Sequence, residues 1–412
     1  MIFFKFLVVS SALLIPDSFM STQRYSKWAN IGLLIAVEIG AMTLWFVSAA
    51  ISGDMAREVA MSSASQAALS SAVQAGFVVG ALISAVLGIA DRFQPRHVLA
   101  ICAVCAAAAN FLLLVAPIGG MIAIGLRAIT GICLAGVYPV GMKIAVGWGR
   151  SDRGLLVGLL VGGLTLGSAA PHLLSFLGGA DWRSIVVATS LIAALSALLV
   201  LKTENGPYHA TASRFDASVI TEAWTNKKVR KAYGGYLGHM WELYAMWAWI
   251  GFALALSFSQ QLPETEAAHL AKLVTFVVIG SGAISSAAAG WVADRIGKAE
   301  LAIAAMAMSG TCALLFGLTF GGAVWLTILI SFLWGISVIP DSAQFSALVA
   351  DYAPADKVGS LMTFQTALGF ALTTLTVQAA PVIADLVGWS VLMASLALGP
   401  MLGIYWMLGL RK

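Results

Sequence analysis

Apolar residues in this chain fall into twelve long runs, at 28–52, 69–90, 97–117, 120–147, 154–178, 183–201, 232–258, 267–292, 298–320, 323–350, 359–386 and 389–410. Each is long enough for the ~20 residues with which a helix crosses a bilayer. The breaks carry Gly, Pro or charge, as at Pro117, Gly119-Gly120, Gly178-Gly179, Pro263 and Gly321-Gly322. In lipid every backbone polar group must be satisfied within its own segment, which makes each run a helix. The longest polar stretch, 202–231, separates the sixth run from the seventh. The pattern therefore predicts an all-α membrane protein: an N-terminal segment (1–27), a six-helix bundle (28–201), a linker (202–231) and a second six-helix bundle (232–412). Ile2 to Pro16 is apolar but too short to span, and Met20 is followed by Ser-Thr-Gln-Arg-Tyr-Ser-Lys, so Met20 is the expected natural start.

Composition removes the soluble alternatives. The chain is 60% hydrophobic and 10% charged, where a soluble domain carries about 25% charge. Its net charge of +4 is dispersed among loops, which does not make a nucleic-acid surface. The distribution of that charge sets orientation. With the N-terminus in the cytoplasm, 18 of the 23 Lys and Arg residues fall on the cytoplasmic side, and only Arg57 and Arg183 lie in outer loops. Both termini are thus expected in the cytoplasm, in the inner (plasma) membrane. The four cysteines lie in apolar runs and read as helix packing, including the Cys102–Cys105 pair. No ATP-binding G-x-x-x-x-G-K-[ST] loop, metal-ligand cluster or nucleophile–base set is present, so neither a cofactor nor an enzyme is expected.

The chain repeats itself. Glu38-Ile-Gly-Ala-Met-Thr-Leu-Trp45 and Glu242-Leu-Tyr-Ala-Met-Trp-Ala-Trp249 both read E-x-x-A-M-x-x-W, 204 positions apart (242 minus 38). Ala90-Asp91-Arg92 recurs as Ala293-Asp294-Arg295, Gly131 as Gly335, and Trp182 more loosely as Trp389. A near-constant offset means two parallel, pseudo-symmetric halves, an architecture of transporters.

The loop after the second run, Gly88-Ile-Ala-Asp91-Arg92-Phe-Gln-Pro-Arg96, and its copy, Gly290-Trp-Val-Ala-Asp294-Arg295-Ile-Gly297-Lys298, resemble the G-x-L-A-D-R-x-G-R-K pattern of the major facilitator superfamily. The second copy fits well; in the first, the glycine is one place late and Gln94-Pro95 replace the usual Gly-Arg. Arg127-Ala-Ile-Thr130-Gly131 resembles that family's R-x-x-Q-G motif with Thr for Gln, while Gly167-Ser-Ala-Ala-Pro-His172 departs from the pattern of its exporters. The resemblance covers residues 20–412. It implies a twelve-helix transporter whose first, fourth, seventh and tenth helices line a central cavity. It also implies that Asp91, Arg92, Arg96, Asp294, Arg295 and Lys298 form a cytoplasmic gate; topology-setting charge is the plainer reading of the same residues.

The candidate site follows from costly groups in apolar runs. Glu38 and Glu242 each lie ~15 Å of helix rise from the cytoplasmic end, near mid-membrane. His239, Glu242, Met246 and Trp249 share one helical face, and Glu38, Met42 and Trp45 repeat its last three members. An intramembrane carboxylate pairs with a cation or carries a proton, and both uses suit a transporter. Glu242 is the stronger candidate for coupling, with Glu38 its partner across the cavity. Arg127 reads as an anion-binding cation, a partner of Glu38, or a side chain reaching for the interface. Asp341 beside Pro340, Tyr138 beside Pro139, and Gln365 complete the set. Lys143 reads as an interface residue and His172 as a packed one.

The expected function is a secondary active transporter moving a small organic solute by alternating access, driven by H⁺, with sodium as the other ion. Acids outnumbering Arg127 favour a cationic or neutral solute. An organic-anion uniporter or antiporter using Arg127 is the nearest alternative, and a non-transporting membrane sensor the alternative of another class. The expected partners are the solute, protons and the bilayer, with the chain acting as a monomer.

Overall fold

The computed structural model describes residues 26–150, 152–178, 181–209, 216–354 and 356–411, apart from the side chains of Ala90 and Asp91. The expected start at Met20 lies outside the described residues. Among the described residues, twelve helices are long and apolar enough to cross a membrane. Counting a broken helix as one, they are α1 Lys27–Glu58, α2 Ser63–Leu87, α3 Pro95–Leu114, α4 Met121–Val146, α5 Arg153–Gly178, α6 Trp182–Val200, α7 Lys227–Phe258, α8 Glu264–Ile296, α9 Lys298–Thr319, α10 Val324–Tyr352, α11 Val358–Val387 and α12 Trp389–Leu410. A short linker helix, Val219–Thr225, precedes α7.

The apolar runs and the helices coincide except at a few ends. α2 starts at Ser63 because Ser62 caps it, its hydroxyl accepting from the Ser65 amide at 3.1 Å. α7 starts at Lys227, since the Asn226 side chain accepts from the amides of Lys228 and Val229. Hydropathy finds the part of a helix that meets lipid; capping chemistry decides where the helix begins.

Besides a turn in α12 between Ser395 and Leu398, three helices are interrupted. α1 breaks between Met42 and Val47, α4 between Leu134 and Tyr138, and α10 between Ser337 and Ser342. The breaks in α4 and α10 sit at equivalent places in the two halves, and each adjoins a proline, Pro139 or Pro340. α7, the counterpart of α1, runs unbroken from Lys227 to Phe258. Gly131 and Gly335, which share the repeat offset, have a common cause. A methyl group on Gly131 would fall 2.0 Å from the Val73 carbonyl oxygen of α2, and one on Gly335 would fall 1.9 Å from the Val278 carbonyl oxygen of α8. Only glycine permits these backbone approaches.

The halves, α1–α6 and α7–α12, meet mainly along α5–α8 and α2–α11. Small residues line the first seam, where Ser286 Oγ donates to the Gly158 carbonyl at 3.4 Å. The end of the molecule away from the termini is tied across the halves. Lys272 Nζ on α8 lies 3.0 Å from Asp54 of α1, and the Ser71 hydroxyl on α2 donates to Gln378 of α11 at 2.7 Å. Gln378 also donates to the Ala64 carbonyl, and His269 stacks on Phe176 at 4.3 Å.

At the end that carries the termini, the charged side chains bind within their own half. Lys27 pairs with Asp152, Arg96 donates to the Thr203 carbonyl, and Lys298 pairs with Asp351. Tyr138, Met142, Met362 and Thr366, toward this end, are partly exposed. The molecule is closed at the far end.

Candidate functional site

The two matched glutamates do not face each other. Each points into its own bundle. Glu38 is buried against glycines of α4 and α5: a methyl on Gly141 would lie 2.9 Å from its Oε2, and one on Gly163 would lie 3.4 Å from its Cβ. Its Oε1 accepts no hydrogen bond. Tyr138 lies within electrostatic reach of this carboxyl. Glu242 is equally buried, but both its oxygens are used. Ser309 Oγ of α9 donates to one at 2.8 Å, and Trp334 Nε1 of α10 donates to the other at 2.7 Å. Glu242 therefore ties three helices of the second half together, and the expected pairing of Glu38 with Glu242 across the cavity is not formed.

Arg127 is likewise committed. It is wholly buried, and its guanidinium donates to the Leu44 carbonyl at 2.7 Å, the Trp45 carbonyl at 2.9 Å and Asn110 Oδ1 at 3.1 Å. The break in α1 frees those two carbonyls, and Arg127 satisfies them. Asn110 is held in turn by donating to the Val186 carbonyl, Thr189 and Ser190 of α6. In this arrangement both terminal nitrogens of Arg127 are bound, its Nε–H alone lacks an acceptor, and it makes no bond to Glu38.

The two tryptophans of the repeat part company. Within the break, Trp45 turns to the centre, with its ring 4.9 Å from Phe77, 5.5 Å from Phe370 and 5.9 Å from Tyr244. Phe46 joins through Tyr244 and Trp247. These rings from α1, α2, α7 and α11 plug the centre against the far end. Trp249, on the unbroken α7, instead donates to the Val377 carbonyl at 3.0 Å and packs on Trp389 and Phe252, away from that cluster.

The structure brings His239 and Asp341 together. His239 Nδ1 on α7 lies 3.0 Å from Asp341 Oδ1 at the break of α10, and both side chains are buried. The contact is not aligned as a hydrogen bond, and both ring nitrogens of His239 lack one. Tyr236 and Phe345 flank the imidazole at 6.4 and 5.5 Å between ring centres. On α11, Leu361 accepts from Tyr233 Oη, and Gly369 abuts Tyr236. Gln365 lies one turn from each of these, on the α7 side of its helix. Both its amide atoms are buried with no hydrogen-bond partner. Tyr244 lies five residues beyond His239, ~7.5 Å of rise, so the aromatic plug roofs this group. Tyr138 is partly exposed below it.

His172 is packed among α5, α7 and α8, near Thr275 and Gly251. Lys143 is half-buried near the C-terminal end of α4. Of the loop charges, Arg295 lies over the Trp291 ring at 3.5 Å, and Arg96 and Lys298 are bound within their own halves. Among the described residues, no hydrogen bond or ion pair joins Arg92 or Asp294 to the other half, and the side chain of Asp91 lies outside the described residues.

Several residues with clear roles were not singled out by sequence reasoning. Asn110 carried a signal, being polar inside an apolar run. Ser309 and Trp334 carried none, since only the packing of α9 and α10 against α7 reveals what they bind. Asp54 and Lys272 lie in segments read as outer ends and pair only because the halves close. Among the described residues, no group of three His, Cys, Asp or Glu side chains that could hold a metal is present.

A comparison with curated proteins returns no match. Among solved structures, the fold resembles a crystal structure of a mutant of the nucleoside transporter NupG, with a TM-score of 0.69 and 13% identity over 94% of this chain and 100% of that one. The family model described as Major Facilitator Superfamily matches residues 33–375. With twelve spans, a duplicated six-helix plan and a family match over most of its length, this chain belongs to the major facilitator superfamily and is a membrane transporter.

Proposed function

We propose that the protein moves a small organic solute by alternating access and couples that movement to protons at the His239–Asp341 pair. The observation that carries this reading is the pair itself: two ionisable groups 3.0 Å apart, buried at the break of α10, with both imidazole nitrogens lacking a hydrogen bond. Such a pair out of water gains or loses a proton when its access to solvent changes sides. Glu38, whose Oε1 is unpaired, is the second proton carrier, and Glu242 is a structural clasp.

The solute meets neutral hydrogen-bonding groups and rings. Gln365 supplies an unpaired amide and Trp45 an unpaired indole N–H, beside Tyr138. With both terminal nitrogens of Arg127 bound to α1 and Asn110, a neutral or cationic solute with an aromatic ring fits better than an organic anion. Nucleosides, which NupG is named for carrying, are a concrete first probe. The basic end is the cytoplasmic one by the distribution of Lys and Arg, in an inner membrane, so the partly exposed Tyr138 and Thr366 lie on the cytoplasmic side of the site. When it opens outward, Asp91, Arg92, Arg96, Asp294, Arg295 and Lys298 close the cytoplasmic end. One chain with both halves is a complete transporter.

The test is uptake of nucleosides and related ring compounds into proteoliposomes under an imposed pH gradient. His239→Gln and Asp341→Asn are expected to abolish gradient-driven uptake while leaving solute exchange at equal pH. Wild-type gradient-driven uptake in both variants would overturn the coupling assignment. Binding with no flux in the wild type would mark a sensor instead.

A further inference from the structure

On the outer, lipid-facing side of the second half, an apolar groove runs between α7, α11 and α12. Its first part has a volume of about 330 Å³, and its lining includes Arg230, Leu237, Trp241, Leu372, Leu398 and Trp406. A second part of about 150 Å³ continues it toward the far end and shares Trp241 and Leu372. The groove lies on the opposite side of α7 from the His239–Asp341 pair. It plays no part in the transport site described above.

Three features define what it holds. First, the walls are apolar and the rims exposed: Leu398 is 53% and Leu402 63% accessible. Second, one end is basic. Arg230 lines the groove where α7 begins, and Lys227, Lys228 and Lys231 stand within one turn of it. Arg230 Nη1 donates to the Trp224 carbonyl of the linker helix, but its buried Nε–H has no acceptor. The Trp241 indole N–H, deeper in the groove, has none either. Third, the length fits. From Arg230 to Trp241 is eleven residues of helix, ~16 Å, about half of a ~30 Å hydrocarbon core and therefore the depth of one leaflet.

We propose that this groove is a binding site for one anionic phospholipid of the leaflet at the basic end, with an acyl chain along Leu237, Trp241 and Leu398 and the phosphate on Arg230. A negative headgroup complements the cluster at the start of α7, as basic residues beside a span do at anionic membrane surfaces. A zwitterionic lipid brings the same chain but no net charge to balance Arg230 and its lysine neighbours. Because Arg230 also holds the linker helix through Trp224, the bound lipid braces the junction between the linker and the second half.

Native mass spectrometry of the full-length protein, with phosphatidylglycerol or phosphatidylcholine added, tests this. The wild type is expected to retain phosphatidylglycerol preferentially. Arg230→Gln lowers that retention about fivefold, the weight of one basic side chain at an anionic surface, and leaves phosphatidylcholine unchanged. Leu398→Trp, at an exposed position on the groove wall, lowers retention of both lipids. Leu386→Trp, at a position 81% accessible and outside the groove, leaves both unchanged. Equal retention of the two lipids by the wild type, or wild-type retention by Arg230→Gln, would overturn the anionic assignment. Identical retention by Leu398→Trp and Leu386→Trp would overturn the groove as the site. Size-exclusion profiles identify misfolded variants, and quenching of Trp241 by brominated acyl chains, read as the difference from Trp241→Phe, gives an independent readout on the unaltered groove.

Discussion

The two copies of E-x-x-A-M-x-x-W began from one pattern and now do different work. In the first half the helix breaks after Met42, and Arg127 of α4 fills the hydrogen-bond demand of the break at Leu44 and Trp45. In the second half the helix is continuous, and the position equivalent to Arg127 by the repeat offset is Ser331, whose hydroxyl bonds its own helix at Thr327. The break redirects Trp45 into the centre while Trp249 stays on the α11–α12 side. Glu38 keeps an unpaired oxygen and Glu242 has none. Sequence identity at a repeat thus preserves cost, a carboxylate in the membrane, without preserving its resolution. The surrounding helices decide whether the group is clasped or left available.

The difference can be broken from either side. The largest effect is expected at Arg127. Arg127→Met strands two main-chain carbonyls and Asn110 in a dry interior, costing about 3 kcal/mol or more and lowering the unfolding temperature sharply. Ser331→Ala, its counterpart, is expected to cost less than about 1 kcal/mol in the same thermal assay. Equal losses would mean that the break in α1 does not depend on Arg127.

Next come the paired glycines, where symmetry predicts sameness rather than difference. Gly131→Ala and Gly335→Ala each push a methyl into a main-chain carbonyl. Both are expected to destabilise by about 1–3 kcal/mol, as overpacking does. Unfolding midpoints of the two variants should fall together, and an unchanged midpoint in either would show that its helix pair can move apart at little cost.

The glutamates sharpen the comparison further. Glu242→Gln retains shape but replaces one of two accepting oxygens with an NH2 facing Ser309 or Trp334, so a loss of about 1–2 kcal/mol in stability is expected with pH-driven uptake largely kept. Glu38→Gln is expected to leave the unfolding temperature near wild type and to change the pH profile of uptake. The reverse pattern would exchange the roles assigned here.

The smallest effect concerns Asp152, a carboxyl just outside the spans of the first half. The Lys27 ammonium beside Asp152 holds that carboxyl below its ordinary range, chiefly through their hydrogen bond. A lowered carboxyl contributes stability above its ordinary value of about 3.9 and loses it as pH falls through the lowered value. The unfolding temperatures of wild type and Asp152→Asn should therefore differ slightly at neutral pH and converge on acidification. A constant gap would deny the pair its role.

Much of the fold was legible because its signals are local. Run lengths, breaks and the 204-residue offset follow from hydropathy and composition, and the twelve helices stand where the runs predict. The site was legible only in part. His239, Asp341 and Gln365 were recognisable as costly groups in apolar runs, and the first two do meet. Arg127 was equally recognisable, yet its task was not, because the carbonyls it satisfies are invisible until α1 breaks. The unpartnered Nε–H of Arg230 escaped notice for a related reason: on the page it is one more basic residue before a span.

By itself, then, the sequence determined that this chain lies in a membrane as twelve helices, in two like halves, with ionisable groups at mid-depth. Those are consequences of each residue's own cost of transfer from water. Which carboxylate is clasped, which cation is consumed and which end of the molecule is shut depend on distances between helices far apart in the chain. In a medium that offers no solvent hydrogen bonds, a polar group's role is set by the neighbour it finds, and only the tertiary structure supplies that neighbour.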